Sequence, residues 1–187
     1  QDKSKLGMAV HKLFVKQESA GLLLAMQHRP QGGRPGKIQI KIEVDTNPPH
    51  GNGSETKFLD FPFAFGVVVQ DLPSLFAGKS HALLCRGYVK GRDWYDFLWY
   101  VARKTPINFA FLSHGCKQNG LWKGQELMVT KSWYLKEMKK KIQSINWDEA
   151  KKDVQRFLKP HEQASLQVWG EYFFLDRLEK MAAYLSD

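Results

Sequence analysis

Nine residues from Lys37 to Asp45 alternate without a break. Ile38, Ile40, Ile42 and Val44 fall on one face, and Lys37, Gln39, Lys41, Glu43 and Asp45 fall on the other. Only an extended chain puts every second side chain on the same side, so this run predicts a strand. Beyond Gln70 the apolar residues recur at three and four instead, the spacing of helices that bury one stripe. Strands first and helices after predict an α+β fold, with an N-terminal mixed sheet followed by a helical bundle.

Turn and cap residues divide the remainder. Val10 to Lys16 alternates loosely, and Leu22 to Met26 is a short apolar run that suits a strand or a helix. Gln31 to Gly36 reads as a turn, and Asn47-Pro48-Pro49-His50-Gly51-Asn52-Gly53 as a rigid loop. The aromatic-rich stretch Phe58 to Phe65 leads into a strand over Gly66 to Gln70. Asp71 or Ser74 can cap a helix that runs to Arg86. A second helix is expected over Arg92 to Arg103, stopped by Thr105-Pro106. Asn108 to Gly124 reads as a short helix and a loop. Thr130–Ile145, Trp147–Leu158 and His161–Leu185 read as three more helices, punctuated by Asn146 and Pro160.

The chain has 187 residues, of which 43% are hydrophobic and 25% charged, a balance that excludes a disordered chain. The formal net charge of +9 favours an anionic partner, or serves solubility alone. No apolar run is long enough to span a bilayer, and the N-terminus lacks the apolar core of a signal peptide, so no membrane is expected. Two cysteines, Cys85 and Cys116, make neither a disulfide framework nor a CxxC zinc pair. They suit a reducing, cytoplasmic setting.

Glu43 and Asp45 sit two apart on the polar strand face. Their carboxylates, about 7 Å apart, can share a metal or divide acid and base roles, or can be ordinary surface charges. On the first helix Leu72, Leu75, Phe76 and Leu83 form an apolar stripe, and Lys79 falls on it. An ammonium there needs a carboxylate or a phosphate, or reaches water along its stem. Asp93 and Asp96 are three apart and share a helix face, where Arg92 can pair with Asp96, and Asp93 also suits the positive end of the helix dipole. From Lys79 to Lys104 there are six basic residues, Arg86 and Lys90 among them, around those two carboxylates. That mixture suits a polyphosphate held with metal.

Further along, Lys136, Lys139, Lys140 and Lys141, with Lys151, Lys152, Arg156 and Lys159, are interleaved with Trp133, Tyr134 and Trp147. Such a run can track a nucleic-acid backbone and stack bases, or can be the solvated face of a bundle whose aromatics are core. His114 beside Cys116 is read as incidental rather than as a catalytic dyad. No GxSxG, Walker loop or GxGxxG is present.

The segment from Leu72 to Arg86, with Gly78-Lys79-Ser80-His81-Ala82-Leu83 at its centre, is followed by Lys90-Gly91-Arg92-Asp93-Trp94-Tyr95-Asp96-Phe97. Together with the upstream strand Ile40 to Asp45 and Thr46-Asn47-Pro48-Pro49, these segments resemble the AbiEii/AbiGii toxin family of nucleotidyltransferases, within the polymerase-β-like superfamily. The resemblance is close over Lys37 to Arg103 and general over the helical C-terminus. It implies a toxin of a toxin–antitoxin or phage-defence system that transfers a nucleotidyl group from an NTP to an acceptor such as tRNA, with Mg²⁺.

Residue by residue, the resemblance points to Lys79, to Arg92-Asp93 and to Glu43 or Asp45, and it implies that Lys79 contacts the nucleotide phosphates; Arg86 and Arg92 are nucleotide-binding candidates beside it. Asp93 would orient that lysine or support the reacting group. Glu43 or Asp45 would serve as base or metal ligand. Lys139, Lys140 and Lys141 are candidates for nucleic-acid contact. An RNA acceptor and a cognate antitoxin are the implied partners. On this basis residues 1–104 are expected to form a partial nucleotidyltransferase-like core and residues 105–187 a helical region packed on it.

The family's Gly-Gly or Gly-Ser turn with an Asp-x-Asp metal pair a dozen residues later has no counterpart here. Gly32-Gly33 and Glu43-Val44-Asp45 have the spacing, but Thr46 to Pro49 matches the later strand. The chain is therefore expected to lack the principal metal ligands, to correspond to the C-terminal two-thirds of such an enzyme, and to be inactive or nearly so by itself. The alternative is a non-catalytic RNA- or antitoxin-binding module.

Overall fold

The computed structural model describes residues 8–16, 19–28 and 36–186. The chain divides into two compact units, 1–48 and 49–187. The expected α+β order holds. The strands form two separate antiparallel sheets where one mixed sheet was expected.

The first unit is a meander of β1 (Met8–Lys16), β2 (Ser19–His28) and β3 (Gly36–Asp45), in the order β1-β2-β3. The apolar run whose period left strand and helix open is the middle strand. It pairs Leu22 with Ile42 and Leu24 with Ile40 across β3, and Leu22 with Leu13 across β1. β1 carries a register irregularity between Val10 and Lys12. The period-two strand is present as read. Its apolar residues Ile40, Ile42 and Val44 are exposed. Most of the Gln31–Gly36 turn lies outside the described residues.

The second unit opens with a hairpin of β4 (Ser54–Leu59) and β5 (Phe65–Gln70), in which Thr56 faces Val68 and Phe58 faces Gly66. Asp71 then caps α1 (Leu72–Cys85), its side chain accepting from the Ser74 amide at 2.9 Å. The Pro49–Gly53 loop is tied to the helices at this point. The Gly53 amide donates to Ser74 Oγ at 2.9 Å, and Asn108 Nδ2 donates to the same oxygen at 2.9 Å and to the Gly51 carbonyl at 2.8 Å.

Six further helices follow: α2 (Gly91–Ala102), α3 (Phe109–Gln118), α4 (Lys131–Ser144), α5 (Trp147–Gln155), the short α6 (Pro160–Gln163) and α7 (Glu171–Ala182). Asn108, Thr130 and Asn146 cap α3, α4 and α5 through their side-chain oxygens. The single helix expected over His161–Leu185 is interrupted. A 3₁₀ turn, Ala164–Val168, follows α6, and Trp169 and Gly170 separate it from α7. The break turns the buried Trp169 edge-on against Phe174, with ring centroids 5.2 Å apart. Burial of a large aromatic there outweighs the hydrogen bonds that a continuous helix would make.

Phe174 is the centre of an aromatic core. Trp147 stacks on it at 4.2 Å and Trp94 meets it edge-on at 5.3 Å. Tyr134 is fully buried and exchanges a 3.0 Å hydrogen bond with Ser80 Oγ, and Trp133 packs on Trp122. The aromatics of the basic segment are therefore packing residues, not a base-stacking platform. Gly91 sets how closely α2 approaches α5, because a Cβ at that position would lie 2.0 Å from the Ala150 carbonyl oxygen.

Candidate functional site

The buried side of α1 consists of Ser74, Phe76, Ala77, Ser80, Leu83 and Leu84. The stripe read from spacing was out of phase: Leu75 is exposed, and Lys79 lies at the edge of the buried face rather than on it. Small residues at 77, 78 and 80 leave α1 with a weak hydrophobic period, so spacing alone could not set its rotation. The ammonium does meet anions. Lys79 Nζ lies 2.8 Å from Asp93 Oδ1 and 2.7 Å from Asp96 Oδ2. The spacing of three within α2 brings both carboxylates to the α1 side.

Asp93 is the buried member of the cluster, with 4% of its side chain exposed. Its second oxygen, Oδ2, accepts from Arg86 Nη1. Both carboxylate oxygens are thus engaged by cations, one on α1 and one at its C-cap. Burial pulls the Lys79 pKa down, but the hydrogen bonds and charges of Asp93 and Asp96 outweigh it, and the net effect is upward. Lys79 is therefore an ammonium at physiological pH and acts as a fixed cation, not as a base. An ammonium has three donors, and the two carboxylates use two. Burial, and next the Asp96 charge, raise the Tyr100 pKa.

Lys79, Asp93 and Asp96 line one side of a cleft of about 370 Å³. Lys90 and Arg92 line it as well, and Phe157 and Glu162 contribute from beyond α5. Arg92 does not pair with Asp96 as the spacing suggested. Its guanidinium lies 4.3 Å from the centre of the Phe157 ring, while Asp96 is taken by Lys79. No carboxylate among the described residues lies within ion-pair distance of Lys90 or Arg92. Phe157 and Glu162 could not be read as site residues, because they reach the cleft through tertiary packing and share no local pattern with Lys79. Arg86 carried a local signal, lying seven residues beyond Lys79 at the C-cap of the same helix.

The remaining candidates are dispersed. Glu43 and Asp45 belong to the first unit. Glu43 Oε1 lies 2.7 Å from Lys41 Nζ, and Asp45 Oδ1 accepts from the Asn47 amide at 3.0 Å. The three consecutive lysines fan around α4. Lys141 Nζ donates to the Arg86 carbonyl at 2.8 Å, and burial lowers its pKa. Lys140 bonds Glu137 at 2.7 Å, and Lys139 lines a groove with Tyr172 and Asp176. His114 is engaged through Nδ1 with the His50 carbonyl at 2.8 Å.

A divalent cation needs carboxylate oxygens that can turn toward it. Asp93 has a side-chain cation on each oxygen, and Asp96 shares Lys79. Mg²⁺ therefore does not fit the Lys79–Asp93 cluster. What the cluster offers is a fixed ammonium with a donor to spare, beside two cations that meet no carboxylate among the described residues. That arrangement suits the oxygens of a phosphate chain.

No helix among the described residues is long and apolar enough to cross a membrane. Neither curated proteins nor solved structures gave a match to the chain. The sequence model of the family described as nucleotidyl transferase AbiEii toxin, type IV toxin–antitoxin system, matches residues 5–173. With that span covering most of its length, the chain belongs to the AbiEii nucleotidyltransferase toxin family.

Proposed function

We propose that the cleft beside α2 holds the phosphates of an NTP, and that the protein acts in the cytoplasm as the toxin of a toxin–antitoxin pair, moving a nucleotidyl group to an RNA acceptor such as tRNA. The observation that carries this reading is the Lys79 ammonium held between Asp93 and Asp96 at the wall of the cleft. In the transfer, an acceptor hydroxyl oxygen bonds to the α-phosphorus and pyrophosphate leaves. Lys79 contacts the phosphate oxygens, Arg86 and Arg92 add positive charge, and Asp93 positions Lys79 and Arg86. The acceptor proton passes to solvent, and the strand carboxylates Glu43 and Asp45 are hard oxygen donors of the kind that Mg²⁺ takes.

The test is equilibrium binding of NTP to the full chain. A loss of about tenfold or more in Lys79→Ala supports the reading, whereas unchanged affinity removes the cleft from consideration. A second reading, a binding module without catalysis, is favoured by the engagement of both Asp93 oxygens by cations. The sequence has no Asp-x-Asp pair. Binding without transfer is therefore expected from this chain by itself, and Mg²⁺-dependent labelling of RNA by it would assign catalysis to the residues present.

A further inference from the structure

The C-terminal half of α1 carries a second cluster, made of different chemistry. His81 and Cys85 are one turn apart and share a helix face, and Cys116 reaches them from α3. A His81 ring nitrogen, Cys85 Sγ and Cys116 Sγ all lie within 4.8 Å of one another. Both cysteines are free thiols, with Cys116 fully buried and Cys85 partly so. Zinc bonds of about 2.3 Å to sulfur and about 2.0 Å to nitrogen at tetrahedral angles put the donors about 3.6 to 3.8 Å apart, so a contraction of at most about 1.3 Å brings the three to ligand positions.

The surroundings hold these groups in place. The loop after α3 passes over the Cys85 sulfur in a left-handed turn at Gly120, where φ is 95° and a Cβ would come within 2.5 Å of Sγ. The Cys116 hydrogen bond, and next His81, hold the Cys85 thiol below its ordinary range against the opposing effect of burial, and a hydrogen bond from the Leu121 amide adds a smaller contribution. His81 Nε2 lies 3.0 Å from the Asn119 carbonyl, a contact of the kind that fixes the orientation of a ligating imidazole. A disulfide would use the two sulfurs and leave the imidazole with no part to play.

We propose that His81, Cys85 and Cys116 bind one Zn²⁺, with water in the fourth position, and that the ion ties α1 to α3. Two thiolates, a neutral imidazole and the soft, tetrahedral preference of zinc match this donor set. Each coordinating thiol gives its proton to solvent as the ion enters. The tie lies two residues along α1 from Lys79, so it also fixes the helix that carries the phosphate-facing ammonium.

The experiment is zinc stoichiometry of the full chain, purified without a metal column and kept reduced with a phosphine, then loaded with Zn²⁺ and dialysed. Cobalt substitution gives an independent optical readout. The expected result is one zinc per chain, a thiolate-to-cobalt charge-transfer band, and at least a tenfold weaker affinity in His81→Ala and Cys116→Ser. Lys79→Ala should retain the ion. If a cysteine variant does not fold, the wild-type protein still decides the matter through its cobalt spectrum and a fall in unfolding temperature with chelator. The proposal is overturned if the reduced protein retains no zinc and gives no cobalt–thiolate band, if His81→Ala and Cys116→Ser bind as the parent does, or if Cys85 and Cys116 form a disulfide in air whether or not zinc is present.

Discussion

Lys79 Nζ and Asp93 Oδ1 are 2.8 Å apart across the contact of α1 with α2, and the aspartate is the buried partner. The lysine is the exposed end of this pair, so its positive charge faces the cleft while its position is set from below. Arg86 completes the support from the C-cap of the same helix.

Asp93→Asn should lower both stability and nucleotide affinity. The substitution keeps the shape but leaves two cations facing a neutral amide. The expected loss is about 2 kcal/mol by urea denaturation, reduced from the fully buried case because Lys79 and Arg86 retain some water. A double-mutant cycle of Asp93→Ala with Arg86→Ala should show coupling of about 1 kcal/mol or more. Simple additivity would mean that their contact contributes nothing.

The Lys79 contribution to nucleotide affinity should be flat from about pH 6 to about pH 9. Its pKa is raised above the ordinary value of 10.5 despite the opposing effect of burial, because Asp93 and Asp96 favour the charged form. A raised folded pKa means that the stabilisation from this lysine is fully present below the unfolded value and is lost as pH rises through the folded one. Binding of Lys79→Gln relative to wild type across that range checks it. A ratio that falls between neutral pH and pH 9 would show that the lysine deprotonates within reach of physiological conditions.

Gly91→Ala should destabilise the second unit by about 1 to 3 kcal/mol. The new methyl would lie 2.0 Å from the Ala150 carbonyl oxygen, so α2 and α5 must separate. Thermal unfolding reads the effect. Gly124→Ala makes a spatial control, since nothing lies within 4 Å of a Cβ there, although its φ of 75° adds backbone strain of its own.

Ser74→Ala should cost about 1 to 3 kcal/mol, because the Gly53 amide and the Asn108 amide group both lose their acceptor at a buried position. The Pro49–Gly53 loop should then become the first segment cut in limited proteolysis. An unchanged digestion pattern would show that the loop is held by other contacts.

The three consecutive lysines of α4 should separate in their effects. Lys139→Glu and Lys140→Glu should leave the fold intact and lower the salt dependence of RNA binding by about one unit of slope each. Lys141→Glu should also destabilise, since Lys141 bonds the Arg86 carbonyl at the end of α1. An unchanged salt slope in the first two would return them to the solvated face of the bundle.

Periodicity fixed the parts of this protein that depend on neighbours in sequence. The Lys37–Asp45 strand and the Asp71 cap were legible for that reason, and the caps that the structure shows at Asn108, Thr130 and Asn146 are equally local, decided by backbone geometry within four residues. The spacing of Asp93 and Asp96 likewise implied a shared face, and the family signature around Lys79 and Asp93 marked where to look. The rotation of α1 was not decided locally, because small residues at 77, 78 and 80 can be buried or exposed at little cost. The helix expected from His161 to Leu185 is broken at Gly170, a weak helix former that takes an extended conformation there, and the break seats Trp169 against Phe174.

The pairing of Arg86 with Asp93, the contribution of Phe157 and Glu162 to the cleft, and the meeting of Cys116 with His81 and Cys85 join residues far apart in the chain. Sequence supplied the residue types and the helices that carry them. Only packing decided which cation met which carboxylate, since desolvation and Coulomb attraction act through space and not along the chain.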